Sequence, residues 1–119
     1  MNLKYSDAYD ARGLPAKWLR RLRSRSGVYV IRKKTLIFET VLYVGESHSD
    51  KLRKTILRHF QKWKGETSGN TYNRNSVEVA VIVCPAADAV ELQNKLIREL
   101  LPEDNIYGKS GGDDVEKPF

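Results

Sequence analysis

The chain reads as a small α/β (α+β) domain in which helices flank a three-stranded, mainly antiparallel sheet. Three observations predict it. Two short runs rich in β-branched and aromatic residues, Val28–Arg32 and Val41–Val44, lie close together in the sequence. A helical apolar stripe of Leu52, Ile56, Phe60 and Trp63 follows them. A third apolar run, Val77–Cys84, precedes a second helical segment, so the order is hairpin, helix, strand, helix.

Each element has its own signal. Residues 1–14 carry no periodic pattern and are expected as an irregular, loosely docked arm. Pro15 suits the first turn of a helix, which AKWLRRLRS continues with Trp18, Leu19 and Leu22 on one side and Gly27 at its end. The first two strands are close enough to form an antiparallel hairpin, with its turn expected near Lys33–Thr35. Ser49 or Asp50 can cap the next helix and Gly65 can end it. Residues 65–75, GETSGNTYNRN, have loop composition. Pro85 closes the third strand, and the last helix runs from Ala86 to Leu101 before Pro102. This divides the chain into a basic arm and helix at 1–24, a central domain at 25–107 and a polar, Gly-rich tail at 108–119.

Composition narrows the function classes. At 119 residues and 40% apolar content, one domain is expected, burying about two thirds of its unfolded surface. No run approaches the roughly 18 apolar residues of a membrane span, and MNLKYSDAYD lacks the apolar centre of a signal peptide. Cys84 is the single cysteine, which rules out an internal disulfide and favours a reducing, cytoplasmic setting. It closes an apolar run and is expected to pack in the core rather than react. With only His48 and His59 and no cysteine pair, a zinc site is not expected.

The charge is strongly polarised. Residues 1–74 hold 17 Lys and Arg against 6 Asp and Glu, whereas residues 75–119 hold 4 against 9. From Arg12 to Lys34 there are nine basic residues and no acidic one, alternating with Trp18, Leu19 and Leu22. One basic face presented to a polyanion is expected, nucleic acid being the commonest such partner. Lys17, Arg20, Arg21, Arg23 and Arg25 would hold its backbone, with Arg53, Lys54 and Lys62 continuing the surface. Tyr72 and Arg74, on the polar loop, could stack on a base and touch phosphate, or anchor the loop.

Two similar tripeptides stand out, Gly27-Val28-Tyr29 and Tyr43-Val44-Gly45, followed by Arg58-His59-Phe60, by Glu91 in AVELQNKLIREL, and by Asn105 after LLPED. In this order they resemble the GIY-YIG nuclease domain of phage homing endonucleases, some restriction enzymes and the incision subunit of bacterial excision repair. The likeness covers about Ser26 to Asn105. It implies a DNA endonuclease that hydrolyses phosphodiesters with Mg²⁺ or Mn²⁺, RNA remaining an alternative substrate. Tyr29 or Tyr43 would activate water, Arg58 would stabilise phosphoryl charge, His59 would serve as a secondary base or phosphate contact, and Glu91 would hold the metal. Gly27, Gly45 and Asn105 would support the site.

The chemistry of these residue types agrees with such roles. A hard cation keeps several waters and can be held by one carboxylate, while an arginine fork suits phosphate oxygens. A phenol beside a cation would have its anion favoured. Taken singly, the tyrosines are also ordinary strand residues, His59 could be a satisfied buried histidine, and Glu91 could pair with Lys95 along the helix. One departure stands out: an ungapped alignment on His59-Phe60 puts Thr55 where the family has its arginine, leaving Arg58 one turn away on the same side, with Arg53 as second candidate. If neither arginine reaches the site, the chain would be a non-cleaving nucleic-acid-binding module of the same fold.

Overall fold

The computed structural model describes residues 3–35, 39–61 and 71–105. Along them the order is α1 (Lys17–Arg20), β1 (Gly27–Lys33), β2 (Val41–Ser47), α2 (Leu52–Arg58), β3 (Val77–Val83) and α3 (Ala86–Leu100). The strands form one antiparallel sheet in the order β2-β1-β3. This is the expected α+β arrangement. No helix among the described residues is long and apolar enough to cross a membrane.

Central position follows from composition. Gly27 to Ile31 are buried, and β1 alone is paired on both edges. Alternation along the strand sends its side chains to two different layers. Tyr29 and Ile31, with Tyr43 from β2, pack with Leu19, Leu52 and Ile56 from the segments bearing α1 and α2. Val28 and Val30, with Val44, pack instead with Leu96 and Ile97 of α3. The sheet therefore separates α2 from α3. Each fully buried aliphatic side chain contributes about 1.5–3 kcal/mol to holding these layers together.

Several elements differ from expectation. The first helix is a single turn, and Pro15 lies before it in a bridge to Tyr9. Its first turn has no acidic residue and its cap makes no side-chain hydrogen bond, so nothing offsets the repulsion among its cations. The arm is not loose: Ser6 and Val79 exchange two backbone hydrogen bonds of 2.9 Å, Trp18 Nε1 donates to the Asp7 carbonyl, and Ala8 is buried. β1 continues through Lys33 and β2 begins at Val41, so the connection starts at Lys34, within the predicted turn; residues 36–38 lie outside those described. The α2 hydrogen-bonding tightens at its end, where His59 and Phe60 donate three residues back, to Ile56 and Leu57. The predicted continuation through Trp63 to Gly65, together with Lys62 and the tail 108–119, falls outside the described residues. α3 stops at Leu101, which adopts a left-handed conformation (φ 48°) just before Pro102.

Candidate functional site

The two motif glycines are explained by what lies against them. Tyr29 pairs with Gly45 across the β1–β2 ladder. A Cβ at Gly45 would come within 2.3 Å of the Tyr29 hydroxyl, so the missing side chain is where the phenol lies. At Gly27 a Cβ would come within 2.3 Å of the Ile82 carbonyl oxygen of β3. Tyr43 stands opposite Ile31 on the same face, which leaves the Tyr29 and Tyr43 rings with centroids 6.2 Å apart.

The tightened end of α2 turns His59 into this cluster. Its Nε2 is hydrogen-bonded to the Tyr29 hydroxyl at 2.7 Å, its ring lies 4.7 Å from that of Tyr43, and it stacks on Tyr72 at 5.9 Å. The Tyr72 hydroxyl donates to Asp104 Oδ2 at 2.7 Å, and the Tyr72 N–H donates to the His59 carbonyl. His59 is 0% exposed, Tyr29 1% and Tyr43 2%. Tyr29, Tyr43 and His59 thus come together with Tyr72 in a buried polar-aromatic core. His59 is buried and bonded to the Tyr29 hydroxyl within it.

The surroundings of the phenols act on their ionisation. Burial pushes Tyr29 well above the ordinary tyrosine range, and the neighbouring Tyr43 and Glu46 push it the same way; Arg58 opposes them with the weakest of the five influences. Tyr72 is likewise raised, by burial first and then by its bond to Asp104. Burial thus favours the neutral phenol at both positions.

Arg58 and Thr55 share a wall of a different feature, a cleft of about 290 Å³ between α2 and the end of β2. Lys51 and Lys54 add two more cations to it. Glu46 also lines it, its side chain only 5% exposed and paired with His48 Nδ1 at 2.9 Å. The loop that forms this wall is pinned twice. Ser47 Oγ accepts the Lys51 N–H at 3.0 Å, and Ser26 Oγ accepts the Asp50 N–H at 3.0 Å while donating to Asp50 Oδ1 at 2.9 Å. Glu46, Lys51 and His48 are site residues that the motif reading missed. The signal was the polar run ESHSDK directly after Tyr43-Val44-Gly45.

Glu91 does not join either group. On α3 the buried residues are Ala89, Gln93, Leu96 and Ile97, whereas Glu91 is exposed. Because α3 covers the Val28 and Val44 layer, Glu91 is separated from the phenols by the sheet and by its own helix, which is about 10–12 Å across. The residue facing the sheet at this level is the neutral Gln93. A divalent cation is not fitted by the cleft either, since Lys51, Lys54 and Arg58 outnumber the one carboxylate, Glu46. No cluster of three or more His, Cys, Asp or Glu side chains suited to a metal is found among the described residues.

Asn105 is buried and works on the outer edge of β2. Its Oδ1 accepts the Val44 N–H at 2.7 Å and its Nδ2 donates to the Val44 carbonyl at 2.8 Å, as another strand would. Arg74 donates to the Gly13 carbonyl and covers the Tyr9 ring, so it anchors its loop, and Tyr72 is similarly engaged inside the protein. Cys84 is half-buried rather than in the core, and burial, Asp88 and Glu46 push its thiol upward, away from reactivity. Lys17, Arg20, Arg21, Arg23 and Arg25 are all exposed, and none takes part in an ion pair among the described residues. The Leu52 N–H donates to the Arg25 carbonyl at 3.0 Å, which places the end of this basic segment beside the start of α2.

Comparison with known proteins yields no match to a family model, to a curated protein or to a solved structure.

Proposed function

We propose that this chain is a nucleic-acid-binding module, with motifs resembling those of GIY-YIG nucleases, that holds phosphates without hydrolysing them. The observation that carries this reading is the exposed cationic segment Lys17–Arg25, unpaired among the described residues and hydrogen-bonded through Arg25 to the start of α2. Exposed cations outside ion pairs can replace the counterions of a polyanion. The position of Glu91 supports the absence of turnover, because the proposed water-activating phenols, the arginine and the carboxylate do not face one space.

One observation favours the endonuclease reading instead: Tyr29, Tyr43 and His59 are in mutual contact, and Arg58 is near enough to influence Tyr29. A single experiment separates the two. Purified protein is incubated with supercoiled plasmid and Mg²⁺ or Mn²⁺ while binding to labelled DNA and RNA is followed in parallel. The module binds in a salt-sensitive way and leaves the plasmid intact. Nicking that disappears in Glu91→Ala or Arg58→Ala overturns it in favour of the nuclease.

A further inference from the structure

The cleft between α2 and the end of β2 is unlike the basic surface around it. Lys51, Lys54 and Arg58 recur at helical intervals of three and four and so line one side of α2. The opposite wall is the Glu46–Ser49 segment, fixed by the Ser47 and Ser26 hydroxyl bonds described above. At about 290 Å³ it lies at the small end of ligand sites, which run from roughly 300 to 1,000 Å³. That is room for a phosphate together with its sugar.

Charge selects between the phosphates it could take. Lys51, Lys54 and Arg58 against the Glu46 carboxylate leave a net charge of +2 from these four side chains. An internal phosphodiester carries one negative charge and must leave the cleft at both ends. A phosphate monoester carries about −1.5 to −2 and is attached at one end only. Both charge and connectivity fit the monoester.

We propose that this cleft receives the terminal phosphate of a nucleic-acid strand, the basic segment Lys17–Arg25 holding the strand beyond it. The proposal rests on the nucleic-acid reading above. It turns a non-specific phosphate surface into one that registers on strand ends.

Fluorescence anisotropy tests it with one short single strand carrying an internal dye and ending in a 5′-phosphate, a 3′-phosphate or hydroxyls alone. The expected result is about tenfold tighter binding of one phosphorylated form, the scale of a charge-assisted hydrogen bond. The double variant Lys51→Ala/Lys54→Ala removes exposed side chains, and its fold is checked by circular dichroism. It should erase that preference. Arg21→Glu/Arg23→Glu should weaken all three strands while keeping their ratio. Equal binding of the three strands by the wild type overturns the proposal and leaves the binding module standing. A cleft that binds adenosine monophosphate, with no strand bound at any salt concentration, overturns both. Failure to bind any of these probes does the same.

Discussion

Tyr29 shows how a motif residue's place can be legible in a sequence when its ionisation is not. Its spacing to Tyr43 and to the glycines was legible because strand alternation and the hairpin set it. Its ionisation was not, because that depends first on burial and then on Tyr43, Glu46 and Tyr72, groups that the fold gathers around it. Removing the hydroxyl with Tyr29→Phe leaves a nitrogen of the buried His59 without its partner, which should cost about 1–3 kcal/mol in urea unfolding. The pH dependence has a definite sign. Tyr29 and Tyr72 are raised, and Tyr5 is pushed up to about 12 by burial and then by Glu39. In the unfolded chain these phenols ionise near about pH 10. Their contribution to stability is therefore complete below that value and is lost as the pH climbs toward the folded ones. The urea midpoint of the wild type should fall from about pH 10 upward, and that of Tyr29→Phe should fall less steeply. A wild-type midpoint unchanged up to about pH 11 would contradict the burial assigned to these rings.

At the scale of elements, the strands and α3 were written plainly in the sequence, whereas the helix α1 was overestimated. β-branched runs bounded by Gly and Pro mark strands whatever packs on them. An amphipathic segment such as Lys17–Arg25 needs a cap and opposite charges to remain helical, and here it has neither. The face of α3 was also legible: Ala89, Leu92, Leu96 and Leu100 form the stripe, and Glu91 falls outside it. The family likeness drew attention to the carboxylate rather than to its side of the helix. Glu46 lay in the polar run ESHSDK, but its burial beside His48 is set by the fold and has no pattern in one sequence. The sheet also ranks its two motif glycines. Gly27→Ala drives a methyl against the Ile82 backbone carbonyl, which moves only if β3 separates from β1. Gly45→Ala meets the end of the Tyr29 side chain, which a rotation can relieve once its bond to His59 is given up. Both substitutions should destabilise, within the roughly 1–3 kcal/mol of overpacked cores, with Gly27→Ala the worse. Thermal unfolding of the two variants checks the order, and a more stable Gly27→Ala would reverse the argument.

For the molecule as a whole, the balance of 17 cations against 6 anions in residues 1–74 is a stronger statement about partners than any single side chain. Not all of that charge is available. Arg32 bonds Glu78 and Glu39, Lys34 pairs with Asp7, Arg12 pairs with Asp10, and Arg74 is turned onto Tyr9 and Gly13. The composition could not distinguish these engaged cations from the exposed run Arg20, Arg21, Arg23 and Arg25, because the pairing crosses the sheet and the arm. The fold thus divides its basic residues into a set that ties the arm and loops together and a set presented outward. Salt dependence measures the second set. Each phosphate contact contributes about 0.9 to the slope of log binding constant against log salt on duplex DNA, and about 0.7 on single strands. Replacing Arg21 and Arg23 by alanine should therefore lower the slope on duplex by up to about 2. Arg74→Ala should leave that slope unchanged while lowering the thermal midpoint, because its guanidinium holds Gly13 and Tyr9 rather than solvent-facing phosphate. Equal loss of slope in both variants would mean that the loop arginine, and not the exposed run alone, faces the polyanion.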